Sequence, residues 1–379
     1  MREPLKKVLT IMMILSASLS MMGQDLPLSM HEHLMAARPL YGKDTISLFF
    51  IGDVMMHARQ MEYPTGPFLE GISNRMKSAD ITVANMEFTL AGKPYSGYPT
   101  FSAPDSYAYY IHNCGANVFL TANNHILDKG TSGLKRTIGI YHDMEQEGLI
   151  KYTGVSSDSS DNAMRYPLML NVKGIRIALV NFTYGTNVKT DKEWPKVNRM
   201  SKKDIASALK RAKERGADFI IALPHWGNEY ELRHSTEQEN MAKWLAANGV
   251  NVIIGTHPHV VQDSTLINNV PVFYSIGNVV SNMSAENTRI ELAVEIKFLR
   301  DWNGDLTMLK PSVTYLWCSL PERLRENYAT IAVQDYIGKR SIWRTPSDYD
   351  IMISTYLHVK EATGVNDCMD SIYAGHDNR

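Results

Sequence analysis

The chain has 379 residues, of which 44% are hydrophobic and 21% charged. This composition is typical of a globular protein with one large domain or two ordinary ones, and it excludes a disordered chain. The formal net charge of -1 gives no basis for nucleic acid or an anionic membrane as the main partner. The three cysteines, at positions 114, 318 and 368, are too few and too far apart for a disulfide scaffold.

Residues 1–23 have the features of an export signal. Three basic residues, at positions 2, 6 and 7, precede an apolar stretch from Val8 to Met22, and Gly23 follows. The stretch is short for a membrane span, which needs about 20 apolar residues. We therefore predict a signal peptide and an exported protein, periplasmic or at the cell surface. An uncleaved N-terminal membrane anchor is the alternative, and residues 24–45 are expected to form an irregular lead-in.

From residue 46 to about 318, short apolar runs alternate with helical patterns. Predicted strands are 46–52, 80–84, 117–121, 166–171, 175–182, 218–223, 250–254, 271–275, 289–298 and 306–316. Predicted helices are 67–78, 104–113, 131–147, 201–215 and 235–248. Strands separated by helices indicate βαβ units with parallel strands. Turn signals at 171–174, 268–269 and 301–305 add antiparallel pairs in the later half. The expected fold class is α/β, with two packed sheets and helices outside them.

The sequence changes character after residue 318. Ser319-Leu320-Pro321 interrupts the strand pattern, and two helices are predicted near 321–338 and 347–362. This segment contains no cluster of candidate ligands. We therefore expect a domain over 46–318 and a C-terminal extension over 319–379 that packs on the sheet.

Five of the apolar runs end in residues that bind ligands in other proteins. Open α/β sheets place ligands at the carboxyl ends of their strands. Asp, Glu, Asn and His are also side chains that divalent metals accept. The residues at or just after these strand ends are Asp53, Asn85, Glu87, Asn123, Asn124, His125, His225, His257 and His259.

Each of these residues also has an ordinary structural interpretation. Asp53 by itself is a common helix cap or turn residue, and a histidine beside a tryptophan, as at 225–226, usually packs in a core. The sequence His257-Pro258-His259 is the most specific signal, because it follows a buried strand that ends in Gly255. We expect a turn at Pro258 that directs both rings to one site.

His125 has a second candidate role. Asp128 follows it by three residues and would orient the imidazole if residues 125–128 form a helical turn. The alternative is a capped loop that leads into the next helix.

The chain resembles the bacterial capsule-synthesis CapA family, also called the PGA_cap or poly-γ-glutamate synthesis family. That family is similar to the calcineurin-like metallophosphoesterases. Six motifs carry the resemblance in order over roughly 46–300: residues 52–56 (GDVMM), 84–87 (ANME), 122–130 (ANNHILDKG), 224–230 (PHWGNEY), 255–259 (GTHPH) and 274–278 (YSIGN).

The resemblance implies a two-metal site on a two-sheet β-sandwich flanked by helices. Asp53 and His259 would bind the first metal and Glu87 would bridge, while Asn124, His225 and His257 would bind the second. His125, held by Asp128, would be the general acid. One or two divalent ions are expected, with Mn, Zn or Fe equally compatible. Residues of the same motifs are expected to contact substrate: Asn85, Asn123, Trp226, Glu229 and Asn278.

The first motif departs from the superfamily pattern. The superfamily has Asp-x-His there, whereas this chain has Met55 in the third position, and Glu87 stands where an Asp is usual. The first metal site therefore has fewer ligands. We expect it to bind metal weakly, to leave one metal in total, or to use His57.

Three functions are compatible with this pattern. The favoured one is a metal-dependent hydrolase or transferase acting on a phosphoester or related bond in capsule or poly-γ-glutamate metabolism, with membrane-bound capsule synthesis machinery as an expected partner. The second is a non-catalytic component that binds or exports an anionic envelope polymer through the same cleft. The third is a nucleotidase or another phosphatase, in which Trp226 and Tyr230 would stack on a ring, although such a pair is more often core packing.

Overall fold

Two β-sheets with helices on their outer faces form the described part of the protein. The structure is a computed structural model, and it describes residues 44–301 and 303–367. The predicted signal peptide, the lead-in up to residue 43 and the last twelve residues of the predicted extension lie outside the described residues.

The first sheet contains nine strands: β1 (Asp44–Val54), β2 (Ile81–Met86), β3 (Val118–Leu120), β4 (Lys151–Thr153), β13 (Asn278–Val280), β14 (Ile290–Arg300), β15 (Leu306–Met308), β16 (Ser312–Ser319) and β17 (Ala329–Ala332). Their order is β17-β16-β14-β1-β2-β3-β4, with β13 also beside β1 and β15 beside β14. Strands β1 to β4 are parallel, whereas β14 is antiparallel to β1. The carboxyl ends of β1 and β2 therefore lie side by side.

The second sheet contains six strands: β6 (Leu168–Val172), β7 (Ile175–Thr183), β9 (Phe219–His225), β10 (Val252–Ile254), β11 (Ser264–Ile267) and β12 (Val270–Phe273). Their order is β11-β12-β10-β9-β7-β6, and β7, β9, β10 and β12 are parallel. A separate two-stranded sheet pairs β5 (Val155–Ser156) with β8 (Lys196–Val197).

Seven α-helices occur among the described residues: α1 (Glu70–Ser78), α2 (Asp105–Asn113), α3 (Gly130–Gln146), α4 (Ser159–Arg165), α5 (Lys202–Glu214), α6 (Thr236–Ala247) and α7 (Pro346–Thr363). Helices α1 to α3 pack on the outer face of the first sheet, and α5 and α6 pack on the outer face of the second. No helix in residues 44–301 or 303–367 combines the length and apolar character needed to cross a bilayer.

The alternation of side chains along the strands separates three layers of core. Phe50 of β1 and Leu179 of β7 point into the layer between the two sheets. Phe49 and Ile51 point the other way, toward α1 to α3. Successive residues of a strand face opposite sides, so nearly continuous apolar runs are needed where both faces are buried. The predicted two-sheet β-sandwich with flanking helices is confirmed.

Two element predictions in the later part of the chain are wrong. The predicted helix at 321–338 contains instead the buried strand β17, which pairs with β16, followed by a 3₁₀ turn. Pairing with β16 at the edge of the first sheet determines the strand conformation of this short apolar segment. The predicted strand at 306–316 is two strands, β15 and β16, because Pro311 lies in the break and cannot donate to a ladder.

The C-terminal helix α7 is tied to the first sheet by a buried ion pair. The Arg289 guanidinium makes two hydrogen bonds of 2.8 and 2.7 Å to the Asp348 carboxylate. Its Nε also donates to the Cys318 carbonyl at 3.0 Å, and the guanidinium lies over the Trp317 ring. Each polar group of the pair thus has a defined partner.

Candidate metal centre

The strand ends of both sheets meet at one edge of the sandwich. From the first sheet, Asp53 of β1 lies in register with Asn85 of β2, and Glu87 follows β2 directly. From the second sheet, His225 is the last residue of β9, and the loop after β10 supplies His257 and His259. The expectation that the carboxyl ends of the strands converge therefore holds in the structure.

The His257-Pro258-His259 segment turns as a shared site requires. Both histidines have positive φ, 103° for His257 and 59° for His259. Such backbone angles are uncommon for residues other than glycine and often occur at functional sites. The centroids of the two imidazole rings lie 5.9 Å apart.

Two glycines allow backbone segments to pack closely together beside the site. A Cβ on Gly52 would lie 2.0 Å from the Gly277 carbonyl oxygen, and a Cβ on Gly255 would lie 2.0 Å from the Tyr274 carbonyl oxygen. Only glycine fits at these two positions, which lie one residue before Asp53 and two residues before His257. The Asp53 carboxylate is then fixed by the Asn85 amide at 2.6 Å and by the His257 backbone N–H at 3.2 Å.

Glu87 lies at the centre of the cluster. It is 0% exposed, and neither carboxylate oxygen has a hydrogen-bond partner among the described residues. Its Oε1 lies 3.9 Å from His225 Nε2 and 3.8 Å from His259 Nε2. Glu87 belongs to two groups of donor atoms, each gathered within 4.8 Å: one with His257 and His259, the other with Asp53 and His225.

This donor set fits one or two divalent metal ions. A buried carboxylate without partners is costly, and a cation beside it removes that cost. His257 Nδ1 is likewise buried and lacks a hydrogen-bond partner. Imidazole nitrogens and carboxylate oxygens are ligands that suit Mn, Zn and Fe. Asp53 Oδ2 also lies 3.5 Å from His259 Nδ1.

Polar side chains contact the ring nitrogens of His225 and His259. His225 Nε2 lies 2.8 Å from Asn124 Oδ1, and His225 Nδ1 lies 2.9 Å from Thr256 Oγ1. Asn278 Oδ1 lies 2.9 Å from His259 Nδ1. Such partners fix the ring orientation and tautomer of a ligating histidine.

Burial dominates the electrostatics of the cluster. It raises the pKa of Glu87 well above the ordinary value, and the neighbouring Asp53 carboxylate raises it further. Burial, followed by the neighbouring histidines, lowers the pKa of His225 well below its usual value and that of His257 to about 3. Burial also opposes protonation of His259, but the Asp53 carboxylate outweighs it and raises that pKa. The lowered pKa values keep the imidazoles of His225 and His257 in the neutral form, which is the form that binds metal.

His125 and Asp128 form a hydrogen-bonded pair beside the cluster. His125 Nδ1 donates to Asp128 Oδ2 at 2.7 Å, and the same oxygen accepts from the Phe101 backbone N–H at 2.8 Å. The pair lies in the turn before α3, so the predicted orienting contact is present. When protonated, His125 has its Nε2–H left to donate to another group.

A cavity of about 720 Å³ lies in front of His125 and His259. Met55, the third residue after Gly52 in the first motif, also lines this cavity. His57 also lines it, but its Nδ1 accepts from the Asn282 backbone N–H at 3.2 Å and lies 3.1 Å from Gln60 Oε1. The structure places His57 in neither of the two groups around Glu87.

Three of the predicted substrate-contact residues are directed away from the cavity. The Trp226 indole N–H donates to the Tyr274 carbonyl at 2.9 Å, and the ring packs with α5 and α6. Asn123 bonds the Met86 carbonyl and the His125 backbone N–H, and Asn278 is buried behind His259. Asn85 holds Asp53, whereas Glu229 is exposed and lines the cavity.

A large part of the sequence matches a known family. Residues 47–283 match the family model described as bacterial capsule synthesis protein PGA_cap, which is more than half of the chain. The chain belongs to the PGA_cap family. The family predicted from the six motifs is therefore confirmed.

Curated relatives agree with this assignment. The chain is 28% identical over 276 residues to the capsule biosynthesis protein CapA of Bacillus anthracis, which covers 69% of this chain and 65% of that protein. It is 25% identical over 280 residues to the PGA biosynthesis protein CapA of Bacillus subtilis (strain 168), covering 70% of each. The aligned region spans just under two thirds of the first relative's length.

Solved structures with a similar backbone include enzymes. A putative 5'-nucleotidase from Staphylococcus aureus has a TM-score of 0.48 at 13% identity, covering 71% of this chain and 54% of that chain. A calcineurin-like phosphoesterase from Bacillus subtilis has a TM-score of 0.45 at 13% identity, covering 85% and 100%. At these values, neither likeness indicates an activity for this chain.

Several residues of the site gave no signal in the sequence. Asn187, in the loop after β7, lies 3.3 Å from His125 Nδ1, and its backbone N–H donates to the Asn124 carbonyl at 2.8 Å. Tyr184 packs its ring 4.6 Å from that of His257. Tyr98 lines the cavity. All three lie in loops without a periodic pattern, and only their folded positions reveal them.

Proposed function

We propose that this protein is an exported, metal-dependent hydrolase that cleaves a phosphoester in the metabolism of a capsule or another envelope polymer. The observation that carries the proposal is Glu87, whose two buried oxygens have no hydrogen-bond partner among the described residues at the point where three histidines and Asp53 meet. Membership of the PGA_cap family supports the envelope role.

The metal ligands would come from both sheets. Asp53 and Glu87 would supply oxygen ligands, and His225, His257 and His259 would supply nitrogen ligands, with Glu87 shared between two ions or serving one. Asn124 lies against His225 Nε2 and would complete the set. A bound divalent ion polarises a phosphoryl oxygen and lowers the pKa of a water molecule.

The chain's own groups would direct the proton transfer. His125 faces the same cavity as His259, and Asp128 fixes its Nδ1. A protonated His125 would donate from Nε2 to the leaving oxygen as the ester bond breaks, and the Asp128 carboxylate would stabilise the charged ring before transfer.

The first test is metal content and turnover measured together on the full chain. We expect one or two equivalents of metal by elemental analysis, and hydrolysis of p-nitrophenyl phosphate or bis(p-nitrophenyl) phosphate with added Mn or Zn. Glu87→Gln should lose both properties, while Glu147→Gln, an exposed change on the protein surface, should keep them. No metal and no turnover in the unaltered protein would overturn the proposal.

A basic pocket beside the cavity favours a second candidate function. It has a volume of about 370 Å³ and includes Lys93, Lys129 and Arg136 in its lining. Lys129 Nζ donates to Thr100 Oγ1 at 2.9 Å, and Thr100 lines the main cavity. A non-catalytic protein that binds an anionic polymer would use this pocket. Its affinity for polyglutamate would fall in Lys93→Ala and Lys129→Ala and survive His125→Ala, with no turnover of either ester.

A further inference from the structure

The mouth of the cavity is built from exposed aromatic rings and a carboxylate. Tyr98 is 74% exposed and Tyr230 is 50% exposed, and both line the cavity. They come from separate parts of the chain, Tyr98 from the loop before α2 and Tyr230 from the loop after β9. Glu229, also exposed, lines the cavity beside Tyr230. Large aromatic surface left in water at a cavity mouth is available for a ligand.

The charged side chains that line this cavity are unsuited to binding a polyanion. Among the described residues that line it, none is lysine or arginine, while Asp128 and Glu229 are acidic. The metal ligands behind it provide a place for one anionic group. The outer part of the cavity therefore favours a neutral or positively charged substituent on the substrate.

Tyr230 is held in place by the same loop that supplies the metal ligands. Its φ is +67°, and its backbone N–H donates to the Pro258 carbonyl at 2.8 Å. Pro258 lies between His257 and His259. Burial and the neighbouring Glu229 carboxylate raise the pKa of Tyr230. This hydrogen bond thus connects the loop of Tyr230 and Glu229 to the loop that contains His257 and His259.

We propose that the site selects phosphoesters that carry an ammonium group, with the phosphate toward the metal ligands and the ammonium at the mouth against Tyr98, Tyr230 and Glu229. The proposal deepens the proposed function and rests on it for the position of the phosphate. An ammonium group is attracted to the faces of tyrosine rings and to a carboxylate, and it meets no lysine or arginine in this lining.

The test compares two phosphoesters of nearly identical shape on the full chain loaded with Mn or Zn. Phosphocholine carries the positive charge, and 3,3-dimethylbutyl phosphate replaces its nitrogen by carbon. We expect kcat/KM to be about 5- to 30-fold higher for phosphocholine, the range that one or two cation–π contacts provide. Tyr98→Ala, Tyr230→Ala and Glu229→Gln should each reduce that preference. Tyr95→Ala and Glu231→Gln, which lie outside the lining, should preserve it.

A binding measurement separates this proposal from the proposed hydrolase activity. Choline and its neutral analogue 3,3-dimethylbutanol are titrated by NMR into metal-free protein and the same variants. Choline binding that is absent for the analogue and weakened in Tyr98→Ala and Glu229→Gln supports the ammonium site, even if no ester is hydrolysed. Hydrolysis of both esters with equal kcat/KM would leave the hydrolase intact and overturn the ammonium site.

Discussion

His125 is the residue whose role is easiest to test apart from metal binding. It lies outside both groups around Glu87, and its Nδ1 is engaged by Asp128. If it protonates the leaving group, His125→Ala should lower kcat by roughly 10²–10⁴, the usual contribution of a positioned general acid, with metal content unchanged. His142→Ala, a change on the exposed face of α3, is the matched control. A loss below tenfold would assign His125 a structural role only.

A second buried carboxyl, Glu291 of β14, is expected to govern part of the pH dependence of stability. Its Oε1 accepts from the Gly52 backbone N–H at 2.6 Å, but Oε2 has no hydrogen-bond partner among the described residues. Burial raises the pKa of Glu291 well above the ordinary carboxyl value, more than the Gly52 hydrogen bond lowers it. The folded state therefore holds this proton at pH values where the unfolded chain has released it.

The sign of the effect follows from that difference. A raised folded-state pKa contributes stability below about pH 4, and that contribution is lost as the pH rises toward the folded-state pKa. Glu291→Gln removes the titrating group, so its stability should fall less than that of the unaltered protein between pH 4 and 8. The difference should approach roughly 1.4 kcal/mol per pH unit where the unfolded chain has lost this proton and the folded state keeps it. Urea unfolding at several pH values measures it, with Glu295→Gln on the same strand as control; parallel curves for all three proteins would contradict the prediction.

At the candidate site, chain order and strand-end position were enough to select the residues that cluster. Asp53, Glu87, His225, His257 and His259 were selected because each ends or follows an apolar run, and the structure brings them together. Side-chain direction was not predictable in the same way. Trp226 directly follows His225, yet it points to the opposite side into the core, because neighbouring residues of an extended segment face opposite ways.

At the scale of elements, hydrophobic periodicity predicted the two-sheet frame well. The strands from β1 to β10 that carry ligands and the long helices α3 and α5 were predicted within two residues at each end. The wrongly predicted segment at 321–338 has no long period, and tertiary pairing with β16 determines its structure. The helix α4, seven residues long, was missed, since so short a helix has little periodic signal.

The ion pair that joins α7 to the first sheet gives an element-scale prediction. Arg289→Met leaves the buried Asp348 carboxylate without its partner, so we expect a loss of about 3–5 kcal/mol in the free energy of unfolding. Replacing both residues, with Arg289→Met and Asp348→Leu, should recover most of it. The exposed pair Arg340–Asp350, one end of which lies on the same helix, provides the control, because exposed pairs contribute little. Similar losses at both pairs in urea unfolding would refute this account of α7.

At the scale of the whole molecule, the candidate metal centre lies where the two sheets are joined. Asp53 and Glu87 belong to the first sheet and the histidines to the second, so a bound ion connects the two sheets directly. Glu87 and His257 Nδ1 are buried and have no hydrogen-bond partner among the described residues. Metal binding and the stability of the sandwich should therefore be linked.

Chelation followed by metal addition tests that link. At a free metal concentration of about 100 times Kd, binding to the folded state alone adds about 2.7 kcal/mol, so the Tm of the chelated protein should rise by several degrees with Mn or Zn. His257→Ala should remove this rise, because it deletes a ligand from the second sheet, and His142→Ala should retain it. The same rise in His257→Ala as in the unaltered protein would place the stabilising ion elsewhere. No rise in any of the three proteins would show that Glu87 and the histidines pack together without a resident metal.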